Sequence, residues 1–173
     1  IATFLELSLG LSAWKAIGRD RWALRINPSS GNLHPTETYL LTSQIEGLPD
    51  GLYHYAPREH ILEQRMALPP ETGADLAFHC GAPALLLALS SILWREAWKY
   101  GERAFRYCQH DIGHALAALR FSARLLGWRL TWMQEIGEKR LARLLGFDRT
   151  DWQPLEEEIP EVLDLRDPDT VRL

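Results

Sequence analysis

The chain has 173 residues, 46% of them hydrophobic and 24% charged, which suits one globular domain with a proper core. A net charge of −4 supplies no electrostatic case for nucleic acid or an anionic membrane surface as partner. The two cysteines, Cys80 and Cys108, make no disulfide framework and point to a reducing, cytoplasmic setting.

The start, Ile1-Ala2-Thr3-Phe4-Leu5-Glu6-Leu7, carries neither an initiator methionine nor a basic leader, so the chain is expected to begin partway into a longer product. Phe4, Leu7, Leu11 and Trp14 recur at helical spacing and predict an amphipathic helix over 3–17, ended by Gly18. Residues 25–35 then break all periodicity. Two prolines fix φ and withdraw donors, and Gly31 allows a backbone conformation closed to other residues, so a stiff loop of short polar groups is expected.

Thr38-Tyr39-Leu40-Leu41-Thr42 reads as a strand, Leu48-Pro49-Asp50-Gly51 as a turn, and Leu52-Tyr53-His54-Tyr55 as the returning strand. A third short strand is expected at 61–64 and a short helix at 71–79. Ala84 to Leu89 is continuously apolar, the pattern of a buried central strand. The longest apolar run, Ala82 to Leu89, falls far short of the ~20 residues that cross a bilayer.

A long helix is expected from about Glu102 to Leu126, small-sided through Ala104, Ala115, Ala117, Ala118, Ser122 and Ala123. Its apolar residues occupy more than one face, which suits burial in a domain or a subunit interface. Gly127 is placed to cap it, Trp128 to Met133 reads as a strand, and 137–146 as a short helix. The acidic cluster Glu156-Glu157-Glu158 reads as solvated. The layout is α+β, a single domain over 1–173.

Two segments carry chemistry. In the loop, Ser29, Ser30 and Asn32 offer the close, rigid polar wall that a flat ligand needs, although the same residue types also build ordinary surface turns. Arg25 could grip a phosphate with its planar fork or form a surface salt bridge. In the second segment, Lys99 is crowded by Arg95, Arg103 and aromatic side chains and could lose its charge to serve as a base. It could equally lay its stem over Trp98 with its ammonium in water.

His110 and His114 lie four apart but lack an adjacent third ligand, so with Asp111 they read as buried polar groups holding hydrogen bonds, and no metal is expected. Ser29 or Ser30 beside His34 lacks the GxSxG elbow of a serine hydrolase.

Pro28-Ser29-Ser30-Gly31-Asn32 resembles the loop that nitroreductases set against their flavin. Lys99-Tyr100-Gly101-Glu102-Arg103-Ala104-Phe105-Arg106-Tyr107 is similar to the lysine-tyrosine segment of the SagB-type dehydrogenases, which oxidise azoline rings in modified peptides. Gly51-Leu52-Tyr53-His54-Tyr55 and Ala123-Arg124-Leu125-Leu126-Gly127-Trp128 extend the likeness over roughly residues 7 to 150.

The resemblance implies a nitroreductase-like fold: a central, mainly antiparallel sheet flanked by helices, with a long buried central helix. It implies FMN as cofactor, a homodimer sharing the flavin slot, and a substrate that is a small molecule or a peptide-borne heterocycle. Lys99 and Tyr100 take the catalytic roles. Arg25, Pro28, Ser29, Ser30, Gly31, Asn32, Glu135, Ile136 and Gly137 become cofactor contacts. Two family features are not matched: the arginine-serine cluster that grips the flavin phosphate does not precede Phe4, and Leu163-Asp164-Leu165-Arg166-Asp167 is acidic where the family is basic. A cofactor-free scaffold, or half of a tandem protein, is the alternative.

Overall fold

The first helix, α1 (Ala2–Leu9), ends eight residues earlier than its periodicity predicts. Gly10 is extended, and the next residues fold instead as a hairpin of β1 (Leu11–Ile17) and β2 (Asp20–Arg25). Gly18 does not cap a helix. It sits in the two-residue turn between Ile17 and Asp20 with φ +60, the sign that primed hairpin turns require. Only Phe4, Leu5, Ser8 and Leu9 go into the core, while Trp14 lies on the surface under the Arg21 guanidinium, 4.3 Å from its ring. This structure, a computed structural model, describes residues 1–133 and 136–148, with no description of the Glu138 side chain. The assignment of Glu135, the acidic cluster at 156–158 and the segment at 163–167 lie outside the described residues.

After the loop come β3 (Thr36–Ser43), β4 (Gly51–Ala56), β5 (Ile61–Ala67), α2 (Pro70–Cys80) and β6 (Ala84–Ser91). They build an antiparallel sheet in the order β5-β4-β3-β6, with Tyr39 opposite His54 and Leu40 opposite Leu87. Each strand predicted here is present, extended by one to three residues at its ends. Then follow α3 (Leu93–Tyr100), a 3-10 turn at 101–103, α4 (Ala104–Leu125) and α5 (Glu138–Leu145).

The alternation of each strand assigns its side chains to two layers. Leu40, Tyr53, Tyr55, Leu87 and Leu89 meet Phe4, Leu5 and Leu9 of α1 and Ile112, Ala115, Leu119 and Ala123 of α4. On the other face, Leu41, Leu52 and Ala88 meet Leu141 and Leu145 of α5. The alanines of α4 let it approach closely. Its outer face stays open, with Phe121 and Leu125 at 72% and 77% exposure.

Gly127 (φ +75) does cap α4: Trp128 N–H donates to Ala123 O at 2.7 Å and Gly127 N–H to Arg124 O at 3.2 Å, the paired bonds of a Schellman end. The chain after it is not a strand, contrary to the expectation for 128–133; the cap turns Trp128 back so that its ring packs 5.2 Å from Phe4. Among the described residues no helix is long and apolar enough to cross a membrane.

Candidate functional site

The polar loop leaves β2 at Arg25 and re-enters the sheet at Thr36, and Arg25 Nη1 staples its two ends by donating to Thr36 O at 3.1 Å. Inside it, Gly31, Asn32 and His34 all have positive φ, at 62°, 59° and 51°. Backbone of that kind costs roughly 1–2 kcal/mol per non-glycine residue, so it persists only where neighbours hold it. Asn32 Nδ2 donates to Ala23 O at 2.9 Å, and Arg95 Nη1 donates to His34 O at 2.8 Å.

The strongest restraint comes from α4. Asp111, fully buried, accepts from Ser29 Oγ at 2.6 Å, from Ser30 N–H at 2.9 Å and from Ser30 Oγ at 3.1 Å. Ser29 Oγ in turn accepts from His34 N–H at 2.8 Å. The two serines and the asparagine amide are therefore braces. The serine hydroxyls donate to Asp111 and the asparagine Nδ2 to Ala23 O, which fixes where these expected ligand contacts point.

Lys99 and Tyr100 end α3 against the crest of this loop. Lys99 Nζ donates to Gly31 O at 3.4 Å and lies 5.5 Å from the Tyr100 ring centroid. A Cβ on Gly31 would sit 2.5 Å from Tyr100 Oη and 2.9 Å from Lys99 Nζ, so only glycine admits both side chains. The crowding expected from Arg95 does not occur. That guanidinium is turned toward Glu37 Oε1 at 2.7 Å, and Glu37 Oε2 meets His54 Nε2 at 2.8 Å. Lys99 is itself exposed, as the solvated alternative expects, with its ammonium at Gly31 O and the Tyr100 ring.

Helix α3 is turned against the hydrophobic pattern: Trp94 and Trp98 face outward, and its one fully buried side chain is Glu96. Both Glu96 oxygens lack a hydrogen-bond partner. Burial, then the negative charge of Asp111, pushes its carboxyl up to about 7 against an opposing pull from Lys99. No period in the sequence marks this residue. Its only textual signal is its place three residues before Lys99.

The loop wall also holds unused polarity. Asn27 Oδ1, Thr36 Oγ1 and both ring nitrogens of His34 are buried without partners. Burial and the nearby Arg25 charge push the His34 imidazole down to about 4, so it is neutral at physiological pH.

Among the remaining candidates, Pro28 is exposed at the loop's edge. Ile136 and Gly137 do not join this corner. Gly137 starts α5, its carbonyl accepting from Arg140 N–H at 3.0 Å, and Ile136 lines an apolar hollow with Leu41, Leu86 and Leu145 on the sheet face opposite α4. His110 and His114 are exposed rather than buried; of that trio only Asp111 is the buried, bonded group expected.

Residues 15–155 match the model of the nitroreductase family. A protein of Methanocaldococcus jannaschii that is named for the nitroreductases is 30% identical over 132 residues, covering 72% of this chain and 65% of its own length. The trifolitoxin-processing protein TfxB of Rhizobium leguminosarum bv. trifolii is 27% identical over 130 residues, 70% of this chain and 35% of TfxB. The chain thus spans 65% and 35% of these two curated relatives. A crystal structure from Anabaena variabilis, described as a nitroreductase, superposes with a TM-score of 0.72 at 27% identity, covering 85% of this chain and 31% of that one. A chain of the E. coli microcin synthetase McbBCD complex, solved with truncated pro-MccB17 bound, shares the fold at a TM-score of 0.65 and 18% identity over 84% of this chain and 56% of that one.

Proposed function

This chain belongs to the nitroreductase family, and on that premise we propose that it is an FMN-dependent oxidoreductase of the SagB type, acting on an azoline-like ring carried by a peptide. Family membership carries the coarser statement, an oxidoreductase fold. The finer reading is supported by one observation above all: the Lys99-Tyr100 pair meets Gly31, 68 residues before Lys99, at a braced loop. Lys99 Nζ donates to Gly31 O at 3.4 Å, and the Tyr100 hydroxyl is packed against the glycine. The likeness to the trifolitoxin-processing protein TfxB, and the fold shared with a microcin synthetase chain, support a peptide-borne substrate.

The residues present fit a flavin at this corner in part. Gly31 is pressed close against Tyr100 and Lys99, and buried atoms of Asn27, His34 and Thr36 without partners add polar capacity to the loop. Arg25 is half-buried and already engaged with Thr36 O. When bound, FMN supplies the hydride acceptor. Lys99 would take the proton from the ring carbon, and Tyr100 would orient the ring. The loop's part is to hold Gly31 O against the lysine, which fixes where the amine points.

A homodimer follows from the same reading, with the exposed Phe121 and Leu125, one turn apart on α4, as part of the surface that a second copy would cover. We also propose a cytoplasmic location, since a sequence with two cysteines carries no disulfide framework.

A second reading, a cofactor-free scaffold, is favoured by the same serines: their hydroxyls are spent on Asp111. Incubation with FMN followed by gel filtration separates the two. Retained yellow colour and a flavin absorption band support the enzyme, and protein that stays colourless supports the scaffold. Lys99→Ala should keep the flavin and lose turnover of an azoline peptide. Undiminished turnover removes Lys99 from the reaction.

A further inference from the structure

We propose that Tyr107 is a positioning residue for Tyr100, and that with Asp111, one turn further along α4, it registers the Lys99-Tyr100 pair against the loop. The inference rests on the reading of Lys99 and Tyr100 as the reacting pair. Helix α3 gives that pair little shelter: it ends at Tyr100, Lys99 is exposed, and Trp94 and Trp98 face outward. Gly101 then reverses the chain at φ 56° and ψ −132°, backbone that favours glycine, into the 3-10 turn and α4.

The reversal lays the Tyr100 ring on Tyr107. Their centroids are 4.5 Å apart with the planes tilted by 57°, inside the range in which aromatic rings attract. Tyr107 is itself backed by His110 of its own helix, whose ring stands edge-on at 6.3 Å. The contact is between rings, so the ring of Tyr107, and not its hydroxyl, carries the role.

Tyr107 and Asp111 are four residues apart on α4 and so share one face. They reach opposite sides of the same contact. Asp111 accepts from both serine hydroxyls and from Ser30 N–H, which fixes the loop just before Gly31. Tyr107 packs on Tyr100, whose Oη lies where a Cβ on Gly31 would come within 2.5 Å. Lys99 Nζ closes the contact by donating to Gly31 O at 3.4 Å. One helix face therefore sets both halves of a site drawn from segments 68 residues apart. Such registration matters because a misplacement of about 1 Å at a reacting group can cost about a hundredfold in rate.

Fluorine-19 NMR of the full chain, with 4-fluorophenylalanine in place of Tyr100, tests the positioning without turnover. The fluorine sits on the ring axis beside Gly31 and is blind to ring flips. One narrow resonance is expected with Tyr107 present and in Tyr107→Phe, which keeps the ring. Tyr107→Leu should broaden or split it, because the ring at position 100 then visits more than one rotamer. Tyr107→Met, also without a flat ring, takes its place if Tyr107→Leu does not fold. A single narrow line in the ringless variant overturns the inference.

Azoline-peptide turnover supplies the second arm. Tyr107→Leu should lower kcat about tenfold to a hundredfold with KM unchanged, and Tyr107→Phe should recover most of the loss. Undiminished kcat in Tyr107→Leu overturns the positioning role. So does a Tyr107→Phe variant as slow as Tyr107→Leu, since the hydroxyl would then be the group that acts. If Lys99→Ala turns over normally, the reading of the reacting pair fails instead, and the fluorine spectra alone decide whether Tyr107 holds the ring at position 100.

Discussion

Two polar corners of this protein are built from nearly the same parts. At one, Asp50 accepts from Ser43 Oγ at 2.8 Å and Gln44 N–H at 2.7 Å, beside a turn in which Gln44 and Gly47 have positive φ. At the other, Asp111 accepts from Ser29, from Ser30 and from the Ser30 amide, beside a loop in which Gly31, Asn32 and His34 have positive φ. The first corner closes on itself, and Ser43 Oγ also donates to Gly73 O at 2.9 Å. The second leaves Glu96, Asn27, His34 and Thr36 with buried atoms that nothing satisfies. Serine, aspartate and left-handed backbone are thus common to a joint and a candidate site. What separates them is unpaired polarity, which a fold tolerates where a ligand or a reaction uses it.

Removing each carboxylate should widen the contrast most. Asp111→Ala strands half-buried donors of Ser29 and Ser30, and bonds to a charged group are worth about 1.5–3 kcal/mol each, so a loss of about 3–5 kcal/mol is expected in urea unfolding. Asp50→Ala, in a corner closer to water, should cost about 1–2 kcal/mol. Equal losses would erase the distinction in how firmly the two carboxylates are bound into the fold.

Next in size are the two glycines. Gly31→Ala forces a Cβ to 2.5 Å from Tyr100 Oη at φ +62. It should cost about 2 kcal/mol and, by displacing Lys99, abolish turnover in protein that still folds. Gly73→Ala brings a Cβ to 2.5 Å from Asp50 Oδ2. A cost of about 1–2 kcal/mol with unchanged flavin retention is expected. Flavin loss in Gly73→Ala, measured by absorbance after desalting, would blur the line between joint and site.

The smallest effect probes what joins the loop to the sheet. The Glu37 bond, ahead of opposing burial and a second bond from Glu63, raises the His54 imidazole above its ordinary value. A raised folded value means that the stabilisation is whole below about pH 6.5, the ordinary histidine value, and is lost as pH rises through the folded one. Glu37 is opposed by burial, but His54 and Arg95 hold it below the usual carboxylate range, so its share is lost only in acid. Unfolding free energy should fall by about 1 kcal/mol between pH 5.5 and 8.5, and His54→Gln should flatten that slope. A slope that His54→Gln leaves intact assigns the titration elsewhere.

Much of the sheet was legible because each strand announces itself locally. The turn at 48–51, the alternation around Tyr53 and the apolar run to Leu89 all act within a few residues. Gly127 was legible for the same reason, since a Schellman end is a short-range event. The helix expected over 3–17 failed because the spacing of Leu11 and Trp14 suits a helix, whereas Gly18 in a primed turn makes a hairpin, and only pairing with residues 20–25 decides between them. Helix α3 went unread because its burial is inverted, with tryptophans outside and a glutamate inside.

The sequence by itself determined the stiff loop, the four strands from β3 to β6, the long small-sided helix and the adjacency of Lys99 to Tyr100, all properties of neighbouring residues. Tertiary structure alone decided that the serines brace the loop on a carboxylate some eighty residues away, that α5 carries Ile136 and Gly137 to the opposite face of the sheet, and that Glu96 is enclosed beside Lys99. Local preferences act through dihedral angles and periodicity, which are written residue by residue. Hydrogen-bond partners and burial are set by which elements pack, and packing is a property of the whole chain.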